Sequence, residues 1–192
     1  EILKPAANGE NVILVGEDVA EDEAVISPGK RLRPADIGGL MALGITRIKA
    51  AAKPRVAVIS SGDEVVPPDR DPAPGQVRDI NSYTLQALID QAGGSPAVYG
   101  IIPDKRQALN QAVSRALEEC DLVVITAGSS ASTRDLTAEV IDAQGEPGVL
   151  VHGVNVRPGK PTILGIAREK GLIGLPGNPV SALVIAGLFV VP

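Results

Sequence analysis

Two acidic residues follow the first aliphatic run of the chain in a turn of small residues. The run Val56 to Ile59 is followed by S-S-G-D-E, whose last three residues are Gly62, Asp63 and Glu64. A turn of this kind at the end of a strand can hold a divalent cation or offer backbone N–H groups to an oxyanion. The alternative is a polar turn whose carboxylates are only solvated.

A second segment with ligand-binding character leads into a predicted helix. The segment from Gly75 to Ser82 reads G-Q-V-R-D-I-N-S. The amino terminus of a helix offers free N–H groups and the positive end of the helix dipole, so an anion can bind there. The alternative is that Asn81 caps the helix and binds nothing else.

A third segment is rich in hydroxyl groups. Residues 126–133 read T-A-G-S-S-A-S-T, and Arg134 and Asp135 follow. A strand, a loop of small hydroxyl residues and a helix start together favour phosphate binding by Gly128, Ser129 and Ser130. The lysine of a P-loop is missing, so that class is excluded, and ordinary loop composition is the alternative.

Two cations lie on a turn stiffened by proline and glycine. In V-R-P-G-K-P the side chains of Arg157 and Lys160 are three residues apart. The restricted backbone favours a common target for both side chains, and the pair suits an anion because arginine grips phosphate bidentately while lysine adds a point charge. A surface turn with two solvated charges is the alternative.

The last segment with a ligand-shaped pattern is G-L-P-G-N-P-V-S. Pro176, Gly177, Asn178 and Pro179 form a rigid turn that exposes its backbone before a helix. Because simple packing does not require such a turn, we interpret it as a ligand-binding loop.

Alternating strands and helices must position these turns. The predicted elements are strands at 56–59, 97–102, 122–126, about 150–156, 162–166 and 172–175, and helices from Asn81, from a cap at Asp104, over 135–143 and from Asn178. Such alternation indicates βαβ units and a mostly parallel sheet covered on both faces. Ligands of such sheets bind at the carboxyl ends of the strands. Asp63, Asp104, Asp135, Lys160 and Pro176 are therefore expected at one rim.

Residues 1–52 lack the regular alternation of strands and helices seen in residues 53–192, which we predict to be the α/β domain. A strand at 11–15, a short helix from Pro34 to Leu43 and a strand at 45–49 suggest the tail of a preceding, partly β domain or a linker.

Composition narrows the function. The net charge of −5 and an aromatic content of 2 % argue against nucleic-acid binding. One cysteine and one histidine exclude an internal disulfide and a multi-histidine zinc site. We find no signal peptide, and the apolar stretch Pro179 to Pro192 is shorter than the ~20 residues of a membrane span. A cytoplasmic protein without membrane association is expected.

The order of these motifs resembles the MoeA/gephyrin family of molybdopterin molybdenumtransferases. The similarity carried by S-S-G-D-E, G-Q-V-R-D-I-N-S, P-D-K, T-A-G-S-S, R-P-G-K-P and G-L-P-G-N-P-V-S-A-L is close from Arg55 to Pro192 and looser from Glu1 to Ala52. The last two motifs are the most specific.

The resemblance implies a three-layer α/β/α domain that binds adenylylated molybdopterin. It also implies an Mg²⁺-dependent enzyme that releases AMP and inserts molybdate into the dithiolene, and a full-length homodimer with a molybdopterin adenylyltransferase as a further partner. By motif, the implied catalytic acids are Asp63, Glu64, Asp104 and Asp135, with Asp63 and Asp135 on the metal. The implied cofactor-binding residues are Gly62, Gly128, Ser129, Ser130, Arg157, Lys160, Pro176, Gly177, Asn178 and Pro179.

One loop departs from the family pattern. Ala127 and Ser132 stand where the family has glycines, so a positive φ at either position would be strained. Two other functions stay open: a molybdopterin adenylyltransferase with the same domain type, and a scaffold domain that binds the pterin without turnover.

Overall fold

The computed structural model describes residues 4–5, 7–127 and 131–192, without the side chains of residues 131–134. By internal contacts the chain divides into two compact units, Glu1–Ala51 and Ala52–Pro192. The ligand-binding segments predicted from sequence all lie in the second unit.

Among the described residues of the first unit there is one helix, α1 (Pro34–Ala42), close to the predicted bounds. Pro34 occupies its first turn, and the Asp36 carboxylate accepts a hydrogen bond from the Arg33 N–H at 2.8 Å. Hydrogen bonds from Arg33 and Lys30 hold the pKa of Asp36 well below its ordinary range. The expected strands at 11–15 and 45–49 are wrong: residues 4–5 and 7–51 contain no strand, because neither run is paired with another.

The second unit is built on a six-stranded sheet. Its elements are β1 (Arg55–Ser61), β2 (Val65–Val66), β3 (Val77–Arg78), α2 (Asn81–Ala92), β4 (Ser95–Ile102), α3 (Arg106–Glu119), β5 (Leu122–Thr126), α4 (Ala131–Asp142), β6 (Pro147–His152), β7 (Ile163–Ala167), β8 (Lys170–Leu175) and α5 (Pro179–Phe189). The sheet order is β4-β1-β5-β8-β7-β6, while β2 and β3 form a separate pair. Strands β4, β1, β5 and β8 are parallel, and β7 is antiparallel to both neighbours.

Helices cover both faces of the sheet. Ala57 and Ile59 of β1 pack towards α3 and α4, whereas Val56 and Val58 pack towards α2 and α5. Each large aliphatic side chain removed from water contributes roughly 1.5–3 kcal/mol, so the two aliphatic clusters hold three layers together. The prediction of a three-layer α/β fold with a mostly parallel sheet is confirmed.

The connection between β7 and β8 is a tight hairpin. Arg168 and Glu169 form it with φ values of 52° and 62°. Positive φ at both central residues is typical of the type I′ turn, which matches the twist of the strands it joins.

Candidate functional site

The loops predicted to bind a ligand share one edge of the sheet. Strands β1, β4, β5 and β8 are parallel, so their carboxyl ends meet at this edge. Two antiparallel steps give β6 the direction of β8, and the connection at 153–162 therefore returns to the same edge. The turns that contain Asp63, Asp104, Lys160 and Pro176 all lie there.

A cavity of about 430 Å³ opens at this edge, between the amino termini of α2 and α5. Four of the sequence-predicted residues line it: Glu64, Gly177, Asn178 and Pro179. The rest of the lining comprises Ser60, Ser61, Val65, Val77, Arg78, Asp79, Ile80, Asn81, Thr126 and Ala127.

Gly62 is required by the backbone of the turn after β1. Its φ is +155°, and a Cβ added there would lie 2.7 Å from Cγ2 of Val65. The chain then turns so that Val65 and Val66 pair with Val77 and Arg78. Gly62 thus shapes the wall of the cavity that carries Glu64.

Asp63 and Asp104 form a pair beside the cavity. The Asp104 N–H donates to Oδ1 of Asp63 at 3.2 Å, and the Ser61 hydroxyl donates to Oδ1 of Asp104 at 2.6 Å. The expected helix cap at Asp104 is wrong, because α3 begins at Arg106 after an extended Lys105. Asp104 instead links the turns that follow β1 and β4.

The helix that carries Asp135 begins earlier than predicted. Helix α4 begins at Ala131, so the exposed Asp135 lies in its second turn rather than at its start. Helix α4 packs on the sheet face opposite α2 and α5.

Within the part of the chain that the structure describes, no group of three or more His, Cys, Asp or Glu side chains is arranged to hold a metal ion. Gly128, Ser129 and Ser130 lie outside the described residues.

Arg157 and Lys160 project from a turn closed by its own hydrogen bonds. The Val154 N–H donates to the carbonyl of Lys160 at 2.9 Å, and the Thr162 hydroxyl donates to the carbonyl of Gly159 at 2.6 Å. Both cationic side chains are exposed, and neither forms an ion pair with a described residue. Buried Gly159, with a φ of +127°, rests against Ile185 of α5.

The P-G-N-P loop begins α5 and contacts α2. Oδ1 of Asn178 accepts hydrogen bonds from the N–H of Ser181 at 3.2 Å and from its hydroxyl at 3.3 Å, which caps the helix. Nδ2 of Asn81 donates to the carbonyl of Gly177 at 2.9 Å. The carbonyl Oδ1 of Asn81 is buried and has no hydrogen-bond partner among the described residues.

The structure adds Asp79 and Arg78 to the residues that line the predicted site. Asp79, rather than Asn81, caps α2, because its carboxylate accepts from the Ser82 N–H at 3.1 Å. The Arg78 guanidinium bonds to the carbonyls of Pro68 and Arg70 and to Asp71, so it fixes the loop after β2. The sequence signal for these residues was the helix entry from Gly75 to Ser82.

The two departures from the family pattern fit without backbone strain. Ala127 has no positive φ, and the backbone at Ser132 is helical. The Ala127 N–H donates to the carbonyl of Leu175 at 3.3 Å, which joins the ends of β5 and β8.

None of the helices in the described residues has the length and apolar character that a bilayer crossing requires.

Comparisons with known proteins agree with this architecture. A family model described as a probable molybdopterin binding domain matches residues 57–192. A putative molybdopterin biosynthesis protein of Methanocaldococcus jannaschii is 37% identical, over 99% of this chain and 49% of that protein. A molybdopterin molybdenumtransferase of Haemophilus influenzae is 33% identical, over 96% of this chain and 44% of that protein.

A solved structure extends the similarity to the fold. The molybdopterin biosynthesis MoeA protein of Pyrococcus horikoshii superposes with a TM-score of 0.83 at 41% identity, covering 100% of this chain and 47% of that chain. The chain spans about half the length of the curated relatives it matches. These matches and the shared architecture establish that the chain belongs to the molybdopterin-binding domain family and is of the MoeA type.

Proposed function

We propose that this chain binds adenylylated molybdopterin at the carboxyl edge of its sheet, as part of an enzyme that inserts molybdate and releases AMP. The observation that carries the proposal is the cavity between the amino termini of α2 and α5, with the P-G-N-P loop as one wall. Its volume of about 430 Å³ suits a small molecule. The names of the relatives support the class of ligand.

Charge decides which groups can face the phosphates. The cavity lining carries the carboxylates of Glu64 and Asp79 and the guanidinium of Arg78, which is engaged with the loop at 68–71. A phosphate is therefore not neutralised by the lining alone. The two helix amino termini offset part of its charge, and we assign the rest to Arg157, Lys160 and a divalent cation.

The carboxylates at this edge fit Mg²⁺ bound by few protein ligands. Mg²⁺ is bound in many phosphate sites by one or two carboxylates together with substrate oxygens and water. Asp63, which is exposed and lies beside Asp104, suits that role; Asp135 stays a predicted second ligand. When bound, Mg²⁺ would neutralise charge on the phosphoanhydride.

The chain's own side chains then divide the remaining tasks. Glu64 accepts hydrogen bonds from donor groups of the ligand, and the rigid loop at 176–179 excludes water from one side. Arg157 and Lys160 hold the anions, molybdate being a substrate. Cations and N–H groups aimed at developing negative charge lower the barrier to anhydride cleavage by several kcal/mol in comparable sites.

Calorimetric titration of the purified chain with adenylylated molybdopterin tests the binding step. We expect saturable binding with one ligand per chain, competed by AMP. The absence of binding at low salt would reject the proposal. Incubation with molybdopterin and ATP tests the adenylyltransferase alternative, which transfer of AMP to the pterin would support.

AMP release with molybdate and Mg²⁺ tests the chemistry. We expect slow release from this chain relative to a longer MoeA-type relative, because small misplacements of catalytic groups cost ~100-fold in rate. Equal rates would place the whole active site within these residues. Binding with no AMP release from either protein would favour a scaffold that holds the pterin.

A further inference from the structure

Asn81 links two parts of the cavity that are far apart in sequence. It is the first residue of α2, it is 8% exposed, and it lines the cavity. Its side-chain N–H donates to the carbonyl of Gly177, 96 residues away, at 2.9 Å. This bond joins the start of α2 directly to the loop that starts α5, because Gly177 lies in that loop.

The bond fixes the orientation of the amide group. The Gly177 carbonyl can only accept a hydrogen bond, so the NH₂ group of Asn81 must face it. The Oδ1 atom is then left buried with no partner among the described residues. A buried acceptor without a donor is destabilising, so folding stability alone does not account for an asparagine at this position.

We propose that Asn81 is a positioning residue that sets the separation of the α2 and α5 amino termini for the bound nucleotide. The inference rests on the proposed function and deepens it, since the ligand carries phosphate groups that both helix ends can face. Donors aimed at a phosphate bind well only when their spacing is fixed beforehand. The Asn81 amide supplies that spacing without contacting the reacting atoms.

Two substitutions separate position from charge. Asn81→Ala removes the whole amide, and Asn81→Asp keeps its shape but sets a carboxylate against the Gly177 carbonyl. We expect each variant to bind adenylylated molybdopterin about ten-fold more weakly. The loss in Asn81→Ala should persist at high salt, whereas the part of the loss in Asn81→Asp that comes from added charge should shrink.

Ser82→Ala is the matched control. Ser82 is the next residue of α2, and its hydroxyl is also buried without a partner among the described residues, yet it makes no bond to the P-G-N-P loop. We expect its affinity for adenylylated molybdopterin to equal that of the unsubstituted chain. An equal loss in Ser82→Ala and Asn81→Ala would overturn the assignment, because it would indicate a general disturbance of α2.

Hydrogen exchange without ligand keeps the inference testable even if the proposed function fails. We expect faster exchange at the amides of Gly177, Asn178 and residues 180–182 in both Asn81 variants, with exchange in β1 and β5 unchanged. Unchanged exchange at Gly177, Asn178 and residues 180–182 would overturn the positioning role. Failure of the unsubstituted chain to bind the nucleotide, with the local change still present, would reject the proposed function and leave the link between the walls established.

Discussion

Lys160 is a side chain held in place by a turn that it does not itself stabilise. The turn is closed by backbone atoms and by the Thr162 hydroxyl, while the lysine ammonium group stays exposed. We therefore expect the Lys160 side chain to contribute little to folding, and its proposed role is in ligand binding. This separation makes it a clean position for a charge test.

We expect Lys160→Ala to weaken binding of adenylylated molybdopterin about ten-fold at low salt, because the anion loses a charge-assisted partner. The loss should shrink as salt rises. Titration calorimetry at two salt concentrations measures both effects. Lys53→Ala is the matched control, since exposed Lys53 precedes β1 at the opposite edge. Equal affinities of the two variants would make Lys160 an ordinary surface charge.

Gly159 lies in the same turn and packs against Ile185 of α5. We expect Gly159→Ala to lower the free energy of unfolding by about 2–3 kcal/mol, because φ is +127° and the new methyl group would overlap Ile185. Gly187→Ala, on the exposed side of α5 with open space around its Cα, should instead raise it by about 0.5–1 kcal/mol. Urea unfolding measures both, and a stable Gly159→Ala variant would contradict the close packing of this turn.

Hydrogen bonds among Tyr99, Arg115 and Glu119 hold the carboxyl end of α3 against β4. The Tyr99 hydroxyl donates to Glu119 at 2.7 Å, and Arg115 donates to the same carboxylate at 2.9 Å. Hydrogen bonds from Arg115 and then Tyr99 lower the pKa of Glu119 below its ordinary value of 4.5. Burial, followed by the bond to Glu119, raises the pKa of Tyr99.

This arrangement predicts an acid-dependent loss of stability. A carboxylate whose pKa is depressed in the folded state stabilises above its unfolded pKa, and the effect disappears as pH falls through the folded pKa. We expect the melting temperature of Glu119→Gln to fall less between pH 6 and pH 3 than that of the unsubstituted chain. Glu118→Gln removes the same charge one residue earlier, at an exposed position, and should follow the unsubstituted curve. Identical curves for both variants would exclude the role of Glu119.

Elements were predictable to different degrees. Strand β5 lies at the predicted residues because its aliphatic run is bounded by polar residues and a small-residue loop. The pair β2 and β3 is only two residues long on each side, which no periodicity can reveal. The start of α4 was misjudged because several Ser and Thr residues precede Asp135, and each of them is a suitable helix cap, so the sequence does not single out one start. The contact of Asn81 with Gly177 was beyond sequence reasoning, since nothing local reports a partner 96 residues away.

For the whole molecule, stability is concentrated in the second unit. Both aliphatic clusters consist of residues from 52–192. Leu40 is the one buried aliphatic residue among the described residues of the first unit, where Val12, Ile13 and Leu14 are 59%, 72% and 69% exposed. The first unit therefore has little core of its own.

We expect a chain reduced to residues 52–192 to unfold cooperatively within ~3 °C of the 192-residue chain, a difference of less than about 1 kcal/mol. It should bind the nucleotide with the same affinity, because the residues that line the cavity all lie in the retained part. Differential scanning calorimetry and titration check the two statements. A large drop in melting temperature would mean that residues 1–51 stabilise the second unit.

The antiparallel hairpins of β6, β7 and β8 also bear on the route of folding. Residues 147–175 form a contiguous meander, whose β7–β8 turn at Arg168 and Glu169 is closed within the hairpin. Parallel pairing of β1 with β4 and β5 requires long crossovers, which close more slowly. We therefore expect the meander to form before the parallel strand pairs. The turn bearing Lys160 lies inside the meander, so it would be positioned before the sheet is complete, whereas the P-G-N-P loop that follows β8 also needs its bond from Asn81 of α2.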